Sequence, residues 1–489
     1  MRRTILAVVA IATVCWVGIS SASTTVKMTG DSRVHANLWS QRNYTGWTSS
    51  TASGTRTYDS LSIFQRFRLR TDFIANNDLK FRLGMRVNNS AWGNGVYTVD
   101  NPTVCIEVYL AYLQFKWPGS DIVFTVGLQN MDLPISSSSL FNSNPVFGGS
   151  RSAAAMMTYP VNDQFKIVTG FTRLIDSTSD RDPTTTQVAD ELDGYILTLP
   201  ITLDGFSASP WGMLAVSGKD SNYTLAIDNE NAPLASNMLA LGGSRASRLR
   251  VGQNVYWWLG SSVALTALDP FKFYADVMYG SGNGAEPARN RRSGLFLDAG
   301  AEYSGLDVMT PQLSFWYSTG EDSSLRNGSE RMPSIVGYWG PSNSFLFDSS
   351  QDLVGGGHCM NVDPVGSWGF VAALNDITFI RDLSHRLAFT YARGTNSPKA
   401  LRSGAAITPA GYYPAPITFV QMGRDLTVNE HVLGINFDHK YAIFENLAAI
   451  VETGWAHGEF QRSVWGRRLV NQASNGDSWK FALGLQYRF

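Results

Sequence analysis

The sequence predicts an all-β chain, a transmembrane antiparallel β-barrel of about 18 strands with long external loops and short periplasmic turns. Three observations carry that prediction. The last twelve residues, SWKFALGLQYRF, place Trp479, Phe481, Leu483, Leu485, Tyr487 and Phe489 on one strand face. Ser478, Lys480, Ala482, Gly484, Gln486 and Arg488 fall on the other, because successive side chains alternate across the pleat. Aromatic rings at both ends of the apolar face, with leucines between, suit a strand whose ends meet the two water interfaces. The second observation is a regular alternation of tight turns with long polar connections. The third is that no apolar run after Ser23 is long enough for a helical span.

The amino end reads as an export signal. Arg2 and Arg3 precede an apolar run from Ile5 to Ile19, and Ser20, Ser21, Ala22 and Ser23 follow. Residues 1–23 are therefore expected to be a cleaved signal peptide, with 24–489 as one barrel domain. Of 39 Lys and Arg the signal removes two, leaving 37 against 40 acids and a charge of −3. That balance gives no electrostatic case for nucleic acid as a partner. Cys105 and Cys359 remain after the signal, too few to form a framework, and are read as free thiols.

The hairpins follow in order. Leu61–Phe73 runs through Asn76, Asn77 and Asp78 into Leu79–Asn89, and Cys105–Trp117 turns at Gly119, Ser120 and Asp121 into Ile122–Gln129. Ala153–Pro160 turns at Asn162 and Asp163 into Phe165–Leu174. Asp269 and Pro270 join Val255–Leu268 to Phe271–Gly280, while Arg381 and Asp382 join Gly369–Ile380 to Leu383–Arg393. Asn, Asp, Gly and Pro are the residues that close such turns. Segments 206–217 and 333–365 leave the strand count open between 16 and 18.

A barrel this wide encloses water, so its chemistry lies in the side chains facing the lumen. Arg66, Arg68 and Arg70 share one parity of their strand, with Ile63, Phe67, Leu69 and Phe73 on the other. On the next strand Lys80, Arg82, Arg86 and Asn88 oppose Phe81, Leu83, Met85 and Val87. A cation on the lipid face costs about 2–4 kcal/mol at the midplane, so these cations are expected to face inward as a ladder. Unpaired, the ladder favours anions; neutralised by loop carboxylates, it serves mainly to hold a loop. Lys272, Asp276, Asp298 and Glu302 are expected on a more acidic opposite wall.

The third long connection, Met131 to Ser150, is expected to fold inward and line a constriction with Asp132, Asn142 and Asn144. Asp180, Asp182, Asp190, Glu191 and Asp193 form one acidic cluster for which calcium is a candidate ligand, and Glu321 with Asp322 a second, although neither has the spacing of an EF-hand. No other cofactor is expected. The six histidines lack ligand spacing, and neither a Gly-x-Ser-x-Gly elbow nor a phosphate-binding loop is present, so no enzyme is expected.

The stretches FQRFRLRTDFIANNDLKFRLGMRVNNSAWGNG, YLAYLQFKWPGSDIVFTVGLQNMDLPI, DPFKFYADVMYGSG and STGEDSSLRNGSERMP resemble the homotrimeric outer-membrane porins of sulfate-reducing bacteria. The resemblance covers essentially the whole mature chain. It implies a trimer of barrels in the outer membrane, amid lipid and lipopolysaccharide, that passes small hydrophilic solutes and ions passively, sulfate and small organic acids among them. A wall facing the trimer axis is sought in Cys105–Trp117 with Ile122–Leu128, whose alternation is blurred. Two other readings stay open: a substrate-specific barrel channel, and a surface enzyme or adhesin carried on a barrel.

Overall fold

The computed structural model describes residues 24–40, 44, 60–93, 97–99, 104–136, 143–176, 190–219, 221, 237–241, 253–283, 291–335, 344, 346, 353, 362–407, 420, 422–472 and 476–489. Nearly all of the regular structure is strand. The first five are β1 (Thr25–Ser40), β2 (Ser60–Asn76), β3 (Leu79–Ala91), β4 (Glu107–Lys116) and β5 (Val123–Met131). Next come β6 (Ser150–Pro160), β7 (Lys166–Ile175), β8 (Leu192–Thr198), β9 (Ile201–Leu203) and β10 (Phe206–Ser217). β11 (Asn254–Leu268), β12 (Phe271–Asn283), β13 (Arg292–Tyr303), β14 (Thr310–Ser318) and β15 (Ser367–Ile380) continue the wall. β16 (Leu383–Gly394), β17 (His431–Phe444), β18 (Leu447–Glu459) and β19 (Asp477–Arg488) complete it. Three short helices, α1 (Pro398–Ile407), α2 (Arg462–Trp465) and α3 (Arg467–Gln472), lie in the last two long connections.

Apart from β8 and β9, each strand pairs antiparallel with its neighbour in sequence, and β1 pairs with β19, so the sheet closes into a barrel. β8 and β9 both pair with β10 and act as one stave interrupted at Pro200, which has no N–H to give the ladder. The barrel therefore has eighteen staves, and 206–217 is one of them. At the closing seam Phe489 and Gly30 exchange both backbone hydrogen bonds, at 2.9 and 3.1 Å. A Cβ at Gly30 would collide with the Arg68 carbonyl and the Phe489 ring, which explains glycine there.

Eight connections of two to six residues lie at one end with both described termini, and nine of eight to 48 residues lie at the other. Among the short turns, Gly205 takes a φ of 66° and Asp382 one of 63°, left-handed values that Gly adopts freely and Asp tolerates.

Alternation sorts the strand residues into two environments. On β19 Trp479, Phe481, Leu483, Leu485 and Tyr487 are exposed on the outside, while Ser478, Lys480, Ala482 and Gln486 are buried within. The blurred alternation of β4 has a local cause. A bulge sets Gly84 opposite Leu110 but Met85 opposite Val108, so Tyr109 is one residue too many and parity shifts there. The blur thus requires no second buried face.

Candidate functional site

The lumen-facing cations stand on the first three staves. β1 turns Asp31, Arg33, His35, Asn37 and Trp39 inward, all buried. Its register sets Asp31 against Arg68, Arg33 against Arg66 and His35 against Phe64 on β2. The Asp31 carboxylate accepts from Arg66 at 2.8 Å and from Arg68 at 2.6 Å. On β3, Arg82 grips Asp72 of β2 through two bonds of 2.5 and 2.7 Å, and Arg86 pairs with Glu107 of β4 at 2.7 Å. Arg70 has no carboxylate partner among the described residues. Among the described residues, the carboxylates that meet this ladder come from neighbouring staves.

Aromatic faces support the same cations. The Arg82 guanidinium lies 5.9 Å from the Tyr112 ring centre. Arg86 and Arg151 lie 5.8 and 5.0 Å from that of Tyr109, the extra residue of the β4 bulge. A second bulge lies on β3 at Asn88. Phe67 faces Val87 but Gln65 faces Ser90, so Asn88 and Asn89 together stand opposite Arg66, and an inward place not foreseen falls to Asn89. The Asn89 amide oxygen accepts from Arg33 at 3.0 Å.

β2 and β3 are the second and third staves of eighteen, and β12 and β13 the eleventh and twelfth, nine positions away and so directly across the lumen. There Lys272 meets Glu302 at 3.7 Å, and Asp276 faces Asp298 in register. Further round, Arg386 pairs with Asp438 at 2.9 Å and Lys480 with Glu452 at 3.1 Å, the last pair fully buried.

The connection from β5 to β6 crosses to this wall. The Ser136 N–H donates to Asp276 at 2.9 Å, and its hydroxyl lies 3.0 Å from the Val263 carbonyl and 3.1 Å from that of Ala275. Asp132 accepts from the Gly149 N–H and closes the neck of the loop. Asn144 is buried inside it, donating to the Pro134 carbonyl at 2.7 Å and accepting from the Val146 N–H at 2.8 Å. Asn142 lies outside the described residues. The loop is anchored by apolar side chains, Leu133, Val146 and Phe147, which are buried.

Other long connections join it. The Ile335 N–H donates to the Val146 carbonyl at 2.8 Å, and Ser334 to that of Asn237 at 3.1 Å. Arg331 is buried between Asp363 at 2.5 Å and Asp425 at 2.9 Å, linking the connection after β14 to the one after β16. Asn396 accepts from the Glu321 N–H at 3.0 Å and donates to the carbonyls of Gly366 and Leu426 at 2.9 and 2.8 Å. Burial pushes the Glu321 carboxyl up to about 7, with the Ser329 hydroxyl and Arg331 opposing the rise. Glu430 is raised for the same reason while it accepts from Gln461, Thr427 and Trp465.

Of the first acidic cluster considered for calcium, Asp180 and Asp182 lie outside the described residues. Asp193 is held by Arg173 at 2.9 and 3.1 Å, and the Glu191 backbone carbonyl accepts from Gly218. Cys105 is exposed just before β4, and Cys359 lies outside the described residues. Sequence reasoning named no lumen-facing residue on β1. Its signal was present in the period-two run of Asp31, Arg33, His35, Asn37 and Trp39.

No protein-family model matches the chain, and neither does any curated protein. Solved structures do. OccK2 (OpdF) of Pseudomonas aeruginosa, solved in complex with glucuronate, aligns with a TM-score of 0.50 over 95% of this chain and 98% of its own, at 10% identity. OprD of the same organism gives 0.49 over 96% and 97% at 11% identity, and OccK11 (OpdR) gives 0.49 over 95% and 96% at 11%. At such identities the likeness concerns the fold alone, and the OccK2 alignment carries it. The fold is that of OccK2, a closed antiparallel barrel, here of eighteen staves.

Proposed function

We propose that the chain is a passive outer-membrane channel for small hydrophilic solutes and ions, with a preference for anions. One observation carries the reading. Lys27, Arg33, Arg66, Arg68, Arg70, Lys80, Arg82 and Arg86 share the inner face of β1–β3, where Asp31 and Asp72 and the adjoining Glu107 are the carboxylates. Eight cations against three acids leave a surplus of five. The Arg66, Arg68, Arg82 and Arg86 side chains are 14–30% exposed, so water reaches them despite their pairing. A cationic wall facing an acidic one sets a transverse field, and the excess on one side gives the net sign. Sulfate and small carboxylates are the expected solutes; the amino-terminal segment 1–23 adds export through a signal peptide, and the resemblance adds assembly as a trimer.

The test is single-channel recording from the purified protein in a planar bilayer across a KCl gradient. A reversal potential of the sign set by chloride supports the reading, and steps in groups of three support the trimer. Potassium preference overturns the anion preference, and folded protein that conducts nothing overturns the channel. A substrate-specific channel is the second reading, favoured by the eighteen staves and by the loops packed into the lumen. It requires that one solute block the current saturably, and the glucuronate bound to OccK2 makes a sugar carboxylate the first to try.

A further inference from the structure

Directly across the lumen from the arginines, two carboxylates stand against each other. Asp276 on β12 and Asp298 on β13 are register partners on the same inward face. They are 2% and 1% exposed. Among the described residues no cationic side chain pairs with either, because Lys272 on the same face is engaged by Glu302. Neither oxygen of Asp298 has a hydrogen-bond partner among the described residues. Like charges directly opposite one another on a sheet are destabilising, and a buried carboxylate without a partner costs more still. The strands place them together, so a positive charge belongs between them.

The surroundings say which kind. No group of three His, Cys, Asp or Glu gathers among the described residues, so a zinc-type site lacks its ligands. What converges is oxygen: the two carboxylates, the Ser136 hydroxyl, and the Val263 and Ala275 carbonyls that the hydroxyl touches at 3.0 and 3.1 Å. The single Ser136 proton serves one of those carbonyls at a time. An irregular oxygen set drawn from a loop and two strands suits a large hard cation with flexible coordination better than it suits octahedral magnesium.

We propose that Asp276 and Asp298 bind a calcium ion that fastens the β5–β6 connection, through Ser136, to the wall facing the arginine ladder. The ion neutralises the carboxylate pair and ties the loop down where Ser136 touches β12. With few carboxylates the site belongs to the weaker class of calcium sites, with a Kd of about 10⁻⁴ M.

The experiment is isothermal titration of the refolded, calcium-stripped full chain in detergent micelles with calcium chloride, beside Asp298→Asn and, as a control, Asp121→Asn in an exposed turn. The expected result is one saturable site in the wild type and in Asp121→Asn, weakened at least about tenfold in Asp298→Asn. Should Asp298→Asn fail to refold, Asp276→Asn is read in the same way. Absence of saturable binding in the wild type up to about 10 mM calcium would overturn the proposal and leave a shared proton as the charge between the pair. Unchanged binding in the Asn variants would overturn it equally.

Discussion

Asp31 sits opposite Arg68 in the β1–β2 register and binds it at 2.6 Å, while its second oxygen takes Arg66 at 2.8 Å. One carboxylate thus restrains two rungs of the ladder. Replacing it by Asn keeps the size and removes one negative charge from the lumen wall. At about 10 Å in water a unit charge is worth about 0.4 kcal/mol, or about twofold in relative permeability. Asp31→Asn is therefore expected to raise the chloride-to-potassium ratio about twofold, read from reversal potentials. An unchanged or lowered ratio would show that the ladder does not set the field.

The pair of Lys480 and Glu452 is buried at 0% and 1% side-chain exposure, and the Glu452 carboxylate also accepts from the Leu353 N–H at 2.8 Å. Removing one partner leaves a buried charge without compensation, which costs about 3–5 kcal/mol. Lys480→Met is expected to lose that much in urea unfolding from lipid vesicles. The double variant with Glu452→Gln should lose less than the sum of the singles, since the second change removes the stranded charge. Additive losses would show that the two residues act independently.

The parts of this molecule legible in the sequence were those governed by alternation. Arg66, Arg68 and Arg70 had to face inward because the opposite parity carries Phe67 and Phe73 onto the outer face of the barrel, and β19 shows the same logic. Register was not legible. That Asp31 meets Arg68 depends on how β1 and β2 align across a long connection, and nothing local encodes that alignment. The β3 bulge was hidden too, since Asn88 and Asn89 are chemically alike and only the count of partners shows which faces Arg33. The loop contacts are hardest. Arg331 and Asp425 are brought together by folding of two separate connections, and the sequence marks neither as a partner of the other.

Asn396 joins three segments through one side chain, meeting Glu321, Gly366 and Leu426. It is fully buried, so its removal takes the partner from the Leu426 carbonyl and the Glu321 N–H, at about 1–3 kcal/mol each, while the Gly366 carbonyl keeps the Thr395 N–H at 2.9 Å. The barrel ladder does not depend on those bonds. Asn396→Ala is expected to leave the unfolding midpoint of the barrel nearly unchanged while loosening the connections after β14 and β16. Single-channel records should show a noisier, larger conductance. A quiet channel of wild-type size would mean that those connections do not limit the current.

Glu321 makes the same assembly sensitive to pH. Its carboxyl is raised by burial to about 7, from an ordinary value of 4.5. Between those values the docked loop keeps a proton that a released loop gives up, so rising pH favours release. Docking is then strongest below about pH 4.5, weakens as pH rises through 7 and levels off above it. A shift of this size amounts to about 3 kcal/mol of local stability. Hydrogen exchange of residues 319–335, corrected for intrinsic rates, should speed up between about pH 5 and pH 8 in the wild type. Glu321→Gln keeps a neutral side chain at every pH and should exchange slowly throughout. Equal pH dependence in both proteins would place the switch on another group, with the neighbouring carboxylates of Asp363 and Glu430 next to be replaced.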